Sequence, residues 1–571
     1  MHPSIIKSKS TKWDQFQARL ERLPHWVIPT LIAILTVSVA LAFLWPSPIA
    51  FPMDDTYIHF VYAQNLATHG KLFFSFPDEK GVATSSLLWV LLLAGGNLIG
   101  IPMFLLAKIL GIASLACVGV GIYLLMRPIW TPLKAASAAL LVSLSGNMIW
   151  FSLSGMETML FLALGILCLL SYRAGRWGGL GFLLGLLTLT RPDGLFLIAA
   201  LGLVELFSQR CLRRGFVTAA SVAVLLAAPW FLYLKWRTGS FLPTSAAAKQ
   251  FGTAVAVKFL LEKYNLPVQF GFLSRLTYPV MWIGYLLEFA LGGMALPPPR
   301  FTVGGMPQST GFAFSLWAIP GCALIISLVY SAGRKMFTRQ CWSTWLADAN
   351  RLPIWALVIW MFLHNLAYMI LLPIPGTASR YGALNYIVLW VAVVAGFSSF
   401  VKRPWVSAAL AAFIALTAIS NTLYWNRVYD ANIEHMIKVR IAAAQYVRDD
   451  LPAEENCGAF DVGAMRYFSG RPIVELAALV DPQAVTWLER GDGDRYIVEH
   501  NVTCLILPGH TGDSSEGLLD FAEIMGLKNS PLFEMKLVKV FEIDHERWLL
   551  GYLPTVNYQA SVTIYQLEPR K

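Results

Sequence analysis

Long apolar runs joined by short connections fill most of this 571-residue chain, and ordinary alternating sequence fills the rest. The first run, from about Trp26 to Trp45, can cross a ~30 Å hydrocarbon core. It follows Lys7, Lys9, Lys12, Arg19 and Arg22 and lacks a small-residue cleavage pattern, which predicts a retained helix rather than a signal peptide. Further runs begin near Met103, Ala135, Glu157, Gly179, Gly194, Phe216, Gly311, Pro353, Tyr386 and Val406, so length alone predicts about eleven crossings. Gly179–Thr190 and Gly194–Ser208 are short. They read either as two spans or as a broken pair meeting at Arg191-Pro192-Asp193-Gly194, where non-helical backbone would line a cavity. Pro267–Pro299 is apolar and aromatic but carries Arg275 and Glu288, which predicts outer-face interfacial helices.

Beyond Trp425 the pattern changes. Strand-like runs at Cys457–Val462, Thr503–Leu507, Leu537–Ile543 and Ser561–Leu567 are interleaved with helical stretches at His435–Val447 and Gly517–Met525, the pattern of a small α/β domain. The expected fold is an α-helical polytopic membrane protein with a C-terminal extracytoplasmic α/β domain. Residues 1–25 form a cytoplasmic segment and 26–424 a membrane module with outer loops at 46–102 and about 235–308. Residues 425–571 form the soluble domain.

Composition sharpens this division. The chain is 56% apolar and 14% charged, against about 25% charged in soluble domains, so a single soluble core is excluded. Residues 1–424 carry 30 basic and 12 acidic side chains, whereas 425–571 carry 14 and 22. The overall +10 is therefore an average of two unlike parts, with no basic face of the kind nucleic acid requires. Arg127/Lys134, Arg173/Arg176, Arg210/Arg213/Arg214, Arg334/Lys335/Arg339/Arg351 and Lys402/Arg403 mark every second connection, which assigns that side to the cytoplasm. An odd number of crossings then places the C-terminal domain outside a plasma (inner) membrane. The seven Cys include no C-x-x-C pair; Cys457 and Cys504 can form a disulfide on an oxidising face or remain two buried thiols.

Acidic residues are scarce enough in the membrane part to weigh singly. Between Gly81 and Gln250 only Glu157, Asp193 and Glu205 occur, and intramembrane ionisable groups are functional candidates. The richest site follows the first helix, at Asp54-Asp55-Thr56-Tyr57-Ile58-His59. Adjacent carboxylates can divide labour, one as base and one as orienter, or simply favour a helix N-terminus. His59, four residues after Asp55, can orient it, share a metal with it, or be an interfacial histidine. Glu157 can cap the next helix or enter the chemistry. No sequence feature demands a metal, although a divalent ion fits a carboxylate pair.

The run Asp54 to Ala67 with Thr84-Ser85-Ser86-Leu87 resembles the first outer loop of polytopic C-type (GT-C) glycosyltransferases, in particular the mycobacterial terminal arabinofuranosyltransferase group. Ser154-Gly155-Met156-Glu157-Thr158, Thr190-Arg191-Pro192-Asp193-Gly194, Gly239 to Thr244 with Ala248-Lys249, Ser379-Arg380-Tyr381, Asp461 to Ala464 and Leu479 to Pro482 extend the likeness in order. Ser86 stands where relatives usually have Pro, and Ala478 where they usually have Gly. The resemblance implies transfer of a sugar, such as arabinofuranose, from a polyprenyl-phosphate donor to an envelope glycan or glycolipid, with inversion. It assigns the base to Asp54 or Asp55, with Asp54 favoured. The donor phosphate falls to Arg380, then Lys249 and Arg191, and Tyr57, His59, Glu157, Asp193 and Tyr381 support them. Arg191 can instead neutralise Asp193 or Glu157, and Arg380 and Lys249 can be headgroup contacts. A flippase for a lipid-linked glycan and a non-enzymatic envelope scaffold are the competing functions; the first would show repeated halves, which the chain lacks.

Overall fold

A computed structural model describes residues 12–45, 47–250, 326–334, 347–372, 376–400, 404–481, 484–509, 520–555 and 559–570, together with Pro279 and Trp282. The chain opens with α1 (Lys12–Glu21) and α2 (Val27–Leu44), followed by α3 (Asp54–His69) and α4 (Leu87–Leu98) in the first connection. Next come α5 (Met103–Met126), α6 (Pro132–Ser143), α7 (Gly146–Leu153), α8 (Thr158–Arg173), α9 (Trp177–Thr190), α10 (Leu195–Gln209) and α11 (Arg214–Thr238). After residue 350, α12 (Leu352–Leu371), α13 (Ala383–Phe400) and α14 (Pro404–His435) complete the bundle.

Seven helices among the described residues are long and apolar enough to span a membrane, or eight if the bent pair α6–α7 is one span. The expectation of about eleven counted runs that are apolar without being long. The Ala135 run turns by 55° between α6 and α7, and the Glu157 and Gly179 runs form helices of 16 and 14 residues, short of the ~20 needed. The Gly311 run and nearly all of Pro267–Pro299 lie outside the described residues.

Arg191 is extended (φ −153°, ψ 137°) between α9 and a short 3-10 turn at Pro192–Gly194, as a residue before proline prefers. The broken pair is therefore present. The far ends of these helices gather in one place: Arg173 Nη1 donates to the Leu124 and Leu125 carbonyls, and Arg213 pairs with Glu205, which also accepts from Tyr172. The break at Arg191 lies at the opposite end.

The change of composition at Trp425 falls inside α14, which continues through a π-helical stretch (Met436–Ile441) into α15 (Ala442–Asp449). A continuous 45-residue helical stretch is about 68 Å long, about twice a ~30 Å hydrocarbon thickness, so the change of charge pattern coincides with no helix end.

The soluble part is a five-stranded sheet in the order β2-β1-β3-β5-β4, built from β1 (Cys457–Ala459), β2 (Val474–Glu475), β3 (Cys504–Pro508), β4 (Phe533–Glu542) and β5 (Ser561–Pro569). β2, β1 and β3 are parallel and entirely buried, while β5 and then the edge strand β4 continue the sheet antiparallel. A disulfide joins Cys457 to Cys504, paired positions of β1 and β3. The helix after β1, α16 (Gly463–Ser469), faces the membrane part. Tyr57, Phe60, Tyr62 and Trp89 from α3 and α4 share one core with Cys457, Val462, Met465 and Ile506. Burial of that seam holds the sheet domain to the first connection, α3 and α4.

Candidate active site at the end of the helix bundle

A cavity of about 720 Å³ opens where α3, α10, α11 and α12 converge. One wall is apolar, with Leu195, Phe196, Val224, Phe231, Leu232 and Leu371 among its residues. The other carries Asp55, His59, Glu157, Arg191, Asp193, Lys249, Arg380 and Tyr381. Eight of the ten residues singled out on sequence are thus brought together from five distant segments.

Asp55 sits in the first turn of α3, its side chain 41% exposed and in an ion pair with Arg380 Nη2. Burial pushes its pKa up, but the Arg380 and Lys249 charges outweigh that and hold it below the ordinary carboxylate value. Arg380 belongs to a 3-10 turn, Thr377–Gly382, in which Ala378 (φ 53°) and Ser379 (φ 57°) are both left-handed. Lys249 Nζ donates to the Tyr381 hydroxyl at 2.7 Å. Arg191, Lys249 and Arg380 lie 4.9, 5.3 and 5.1 Å from the Tyr381 ring centre, so one phenol is ringed by three cations.

Behind this front row runs a buried chain of partners. Arg191 meets Asp193 at 3.1 Å, Glu157 at 3.3 Å and the Tyr368 hydroxyl at 2.7 Å. The neutralising role that the sequence left open for Arg191 is therefore occupied on both sides. Glu157 begins α8, but its side chain makes no cap; it faces Arg191 and, at 3.6 Å, His59 Nε2. His59 Nδ1 lies 2.9 Å from Thr84 Oγ1, and burial pushes the ring's pKa below its ordinary value. His59 thus bridges Thr84 and Glu157 rather than orienting Asp55. Among the described residues, no three of His, Cys, Asp and Glu converge closely enough to hold a metal ion.

Two sequence assignments change. Asp54, the favoured base, does not line the cavity: it is 6% exposed, and its Oδ2 and Oδ1 accept from the Gly463 and Ala464 amides at 2.7 and 2.8 Å. It closes the N-terminus of α16, with Arg440 at 3.6 Å. Burial pushes its pKa up to about 6 despite Arg440. A side chain at Gly463 would overlap the Asp54 carbonyl, so glycine is required for this approach. Tyr57 also points elsewhere: its ring packs among Phe51, Phe60, Tyr467 and Phe468, and its hydroxyl accepts from the Phe51 amide at 3.2 Å.

The soluble domain reaches the cavity through a loop organised by Glu475, whose carboxylate accepts from the Ala477, Leu479 and Val480 amides. Burial raises its pKa to about 7. The Leu479 carbonyl accepts from Thr244 Oγ1 at 2.6 Å, and Leu479 lines the cavity. Ala478 in this loop has φ 60°, a conformation that favours glycine. Ser86 accepts from the Trp89 amide and caps α4.

His364 and Tyr368 were missed on sequence, and Thr84 was read there only as part of the first-connection motif. His364 Nε2 lies 2.6 Å from the Tyr381 carbonyl and Nδ1 3.3 Å from Asp193. The only signal was a His and Tyr four residues apart in an apolar helix.

No curated protein matches the sequence. Residues 427–565 match a family described as a domain of unknown function (DUF8728). Among solved structures, ArnT from Cupriavidus metallidurans bound to undecaprenyl phosphate is similar at TM-score 0.53 and 12% identity, over 95% of this chain and 97% of its own. The archaeal oligosaccharyltransferase AglB from Archaeoglobus fulgidus, in complex with an inhibitory peptide and a dolichol-phosphate, matches at 0.51 and 15%, over 85% and 69%. A mycobacterial arabinofuranosyltransferase, AftD, aligns at 0.47 and 11% over 95% of this chain and 42% of its own, too loosely to bear on the sugar. The chain has the fold of the C-type glycosyltransferases.

Proposed function

We propose that this protein transfers a sugar from a polyprenyl-phosphate donor to a cell-envelope glycan or glycolipid on the outer face of the plasma membrane. The observation that carries the reading is the division of one cavity into an apolar wall between membrane helices and a wall bearing three cations and a half-exposed carboxylate. A long isoprenoid suits the first, and a phosphate with the sugar it carries suits the second. The bound lipid phosphates of ArnT and AglB support this class of donor.

Asp55 is the base. It takes the proton of the acceptor hydroxyl as that oxygen forms a bond to the anomeric carbon. The anomeric carbon–phosphate oxygen bond breaks, and its electron pair leaves with the polyprenyl phosphate. Arg380 and Lys249 stabilise the leaving charge, and Arg191, already neutralised, holds the floor. Attack opposite the leaving group inverts the anomeric centre. The motif likeness favours a pentofuranose such as arabinofuranose. Outward orientation is supported by the Cys457–Cys504 disulfide, suited to an oxidising compartment, and by the basic connections gathered at the far end of the bundle.

The test is a transfer assay with purified protein and a panel of polyprenyl-phosphate sugars, following release of polyprenyl phosphate. Release should occur with the wild type and fall by roughly a thousandfold in Asp55→Asn. Full activity in that variant, or lipid movement across a bilayer without sugar transfer, would overturn the reading.

A further inference from the structure

The Asp55–Arg380 pair joins unequal partners. The Arg380 side chain is 5% exposed, and its Nη1 lies 3.4 Å from Thr377 Oγ1 and 3.4 Å from Met53 Sδ. Its buried Nε has no hydrogen-bond partner among the described residues. The backbone beneath it is held by two successive left-handed residues and by His364 against the Tyr381 carbonyl; conformations of that kind persist only where the surroundings enforce them. Asp55 is 41% exposed. Of the two, the carboxylate is the partner free to move.

A phosphodiester reaching this guanidinium presents the same feature as the carboxylate, two oxygens on one centre, for the same N–H donors. Both anions cannot hold the same Nη2 proton. We propose that Asp55 stands in for the donor phosphate in the resting enzyme, and that the donor displaces it from Arg380 and so releases the base for the acceptor. This rests on the donor reading above and adds an order to it: lipid-linked sugar first, acceptor second.

The electrostatics agree. In the resting state Arg380 and Lys249 hold the proton affinity of Asp55 down, so the carboxylate is a weak base while its partner stays in place. Among the described residues, Arg380, Lys249, His59 and Tyr381 are charged or titratable groups acting on it. Once Arg380 turns to the phosphate, which brings its own negative charge close by, the proton affinity rises when a hydroxyl must be deprotonated. An acceptor or a water that enters before the donor meets a carboxylate that does not take its proton.

The experiment measures binding of undecaprenyl phosphate to the full chain in nanodiscs. A competing carboxylate predicts that Asp55→Asn tightens binding, by threefold or more. Arg380→Ala should weaken it at least tenfold, and Asp55→Asn should have no further effect in the Arg380→Ala background, the coupling expected of a direct pair. Asp54→Asn, which removes a neighbouring charge outside the cavity, should leave the affinity unchanged. Asp55→Ala replaces Asp55→Asn if that variant does not fold. Unchanged or weaker binding on removing the carboxylate, or tightening that persists without Arg380, overturns the proposal while the donor reading stands. Failure of the wild type to bind undecaprenyl phosphate overturns both.

Discussion

Asp54 and Asp55 are chain neighbours with opposite surroundings. Asp54 is buried in the seam between the bundle and the sheet domain, fixed by two backbone amides, with its pKa pushed up to about 6 by burial. Asp55 borders the cavity, is held by a side chain rather than by backbone, and has its pKa pulled down by Arg380 and Lys249 against the effect of burial. Identical chemistry in adjacent positions thus becomes a structural clasp in one case and a displaceable group in the other. The difference comes from the angle of about 100° between successive side chains on a helix, which turns them toward different regions.

The comparison breaks most sharply in activity. Asp55→Asn should lower transfer by roughly a thousandfold while the variant still folds and unfolds cooperatively on heating; an equal loss of activity in Asp54→Asn with an intact fold would erase the distinction. Gly463→Val comes next. The new side chain would overlap the Asp54 backbone, so the seam should lose about 3 kcal/mol, visible as a lower unfolding temperature and faster proteolysis of the sheet domain.

Asp54→Asn should be milder and pH-dependent. Its folded-state pKa, about 6, exceeds the ordinary 3.8. Between those values the folded chain binds more protons than the unfolded one, so the stability Asp54 contributes is full below about pH 4 and is lost as pH rises through 6. The deficit of the variant, about 1 kcal/mol at pH 4, should therefore shrink toward pH 7 in thermal scans. The smallest effect is a gain: Ala478→Gly relieves a left-handed alanine (φ 60°) and should stabilise the loop by up to about 1 kcal/mol.

Much of this organisation is legible in the sequence because apolar runs report burial in lipid, and because scarce charges within them have few reasons to be there. Asp55, Arg191, Asp193, Arg380 and Lys249 could be singled out on that ground and by likeness to glycosyltransferase motifs. What stayed hidden depends on direction and on partners far along the chain. Nothing local tells that Asp54 turns to an amide 409 residues away, or that Tyr57 turns into an aromatic cluster. Hydropathy found the apolar helices among the described residues but not the bend between α6 and α7, since it reports what a segment dissolves in and not how straight it is. The change of composition near Trp425 falls inside α14 for a related reason: composition follows the surroundings of a segment, and backbone geometry does not.

The seam also sets an order of manufacture. The outer wall of the cavity is completed by Leu479, and α3 is closed off by Gly463 and Ala464. Each of these leaves the ribosome after the cations and carboxylates they enclose. A nascent chain that has emerged only as far as Arg380 holds the charged constellation without its cover. The Asp55–Arg380 ion pair leaves neither charge without a counterion during that interval, until the sheet domain seats itself and finishes the compartment.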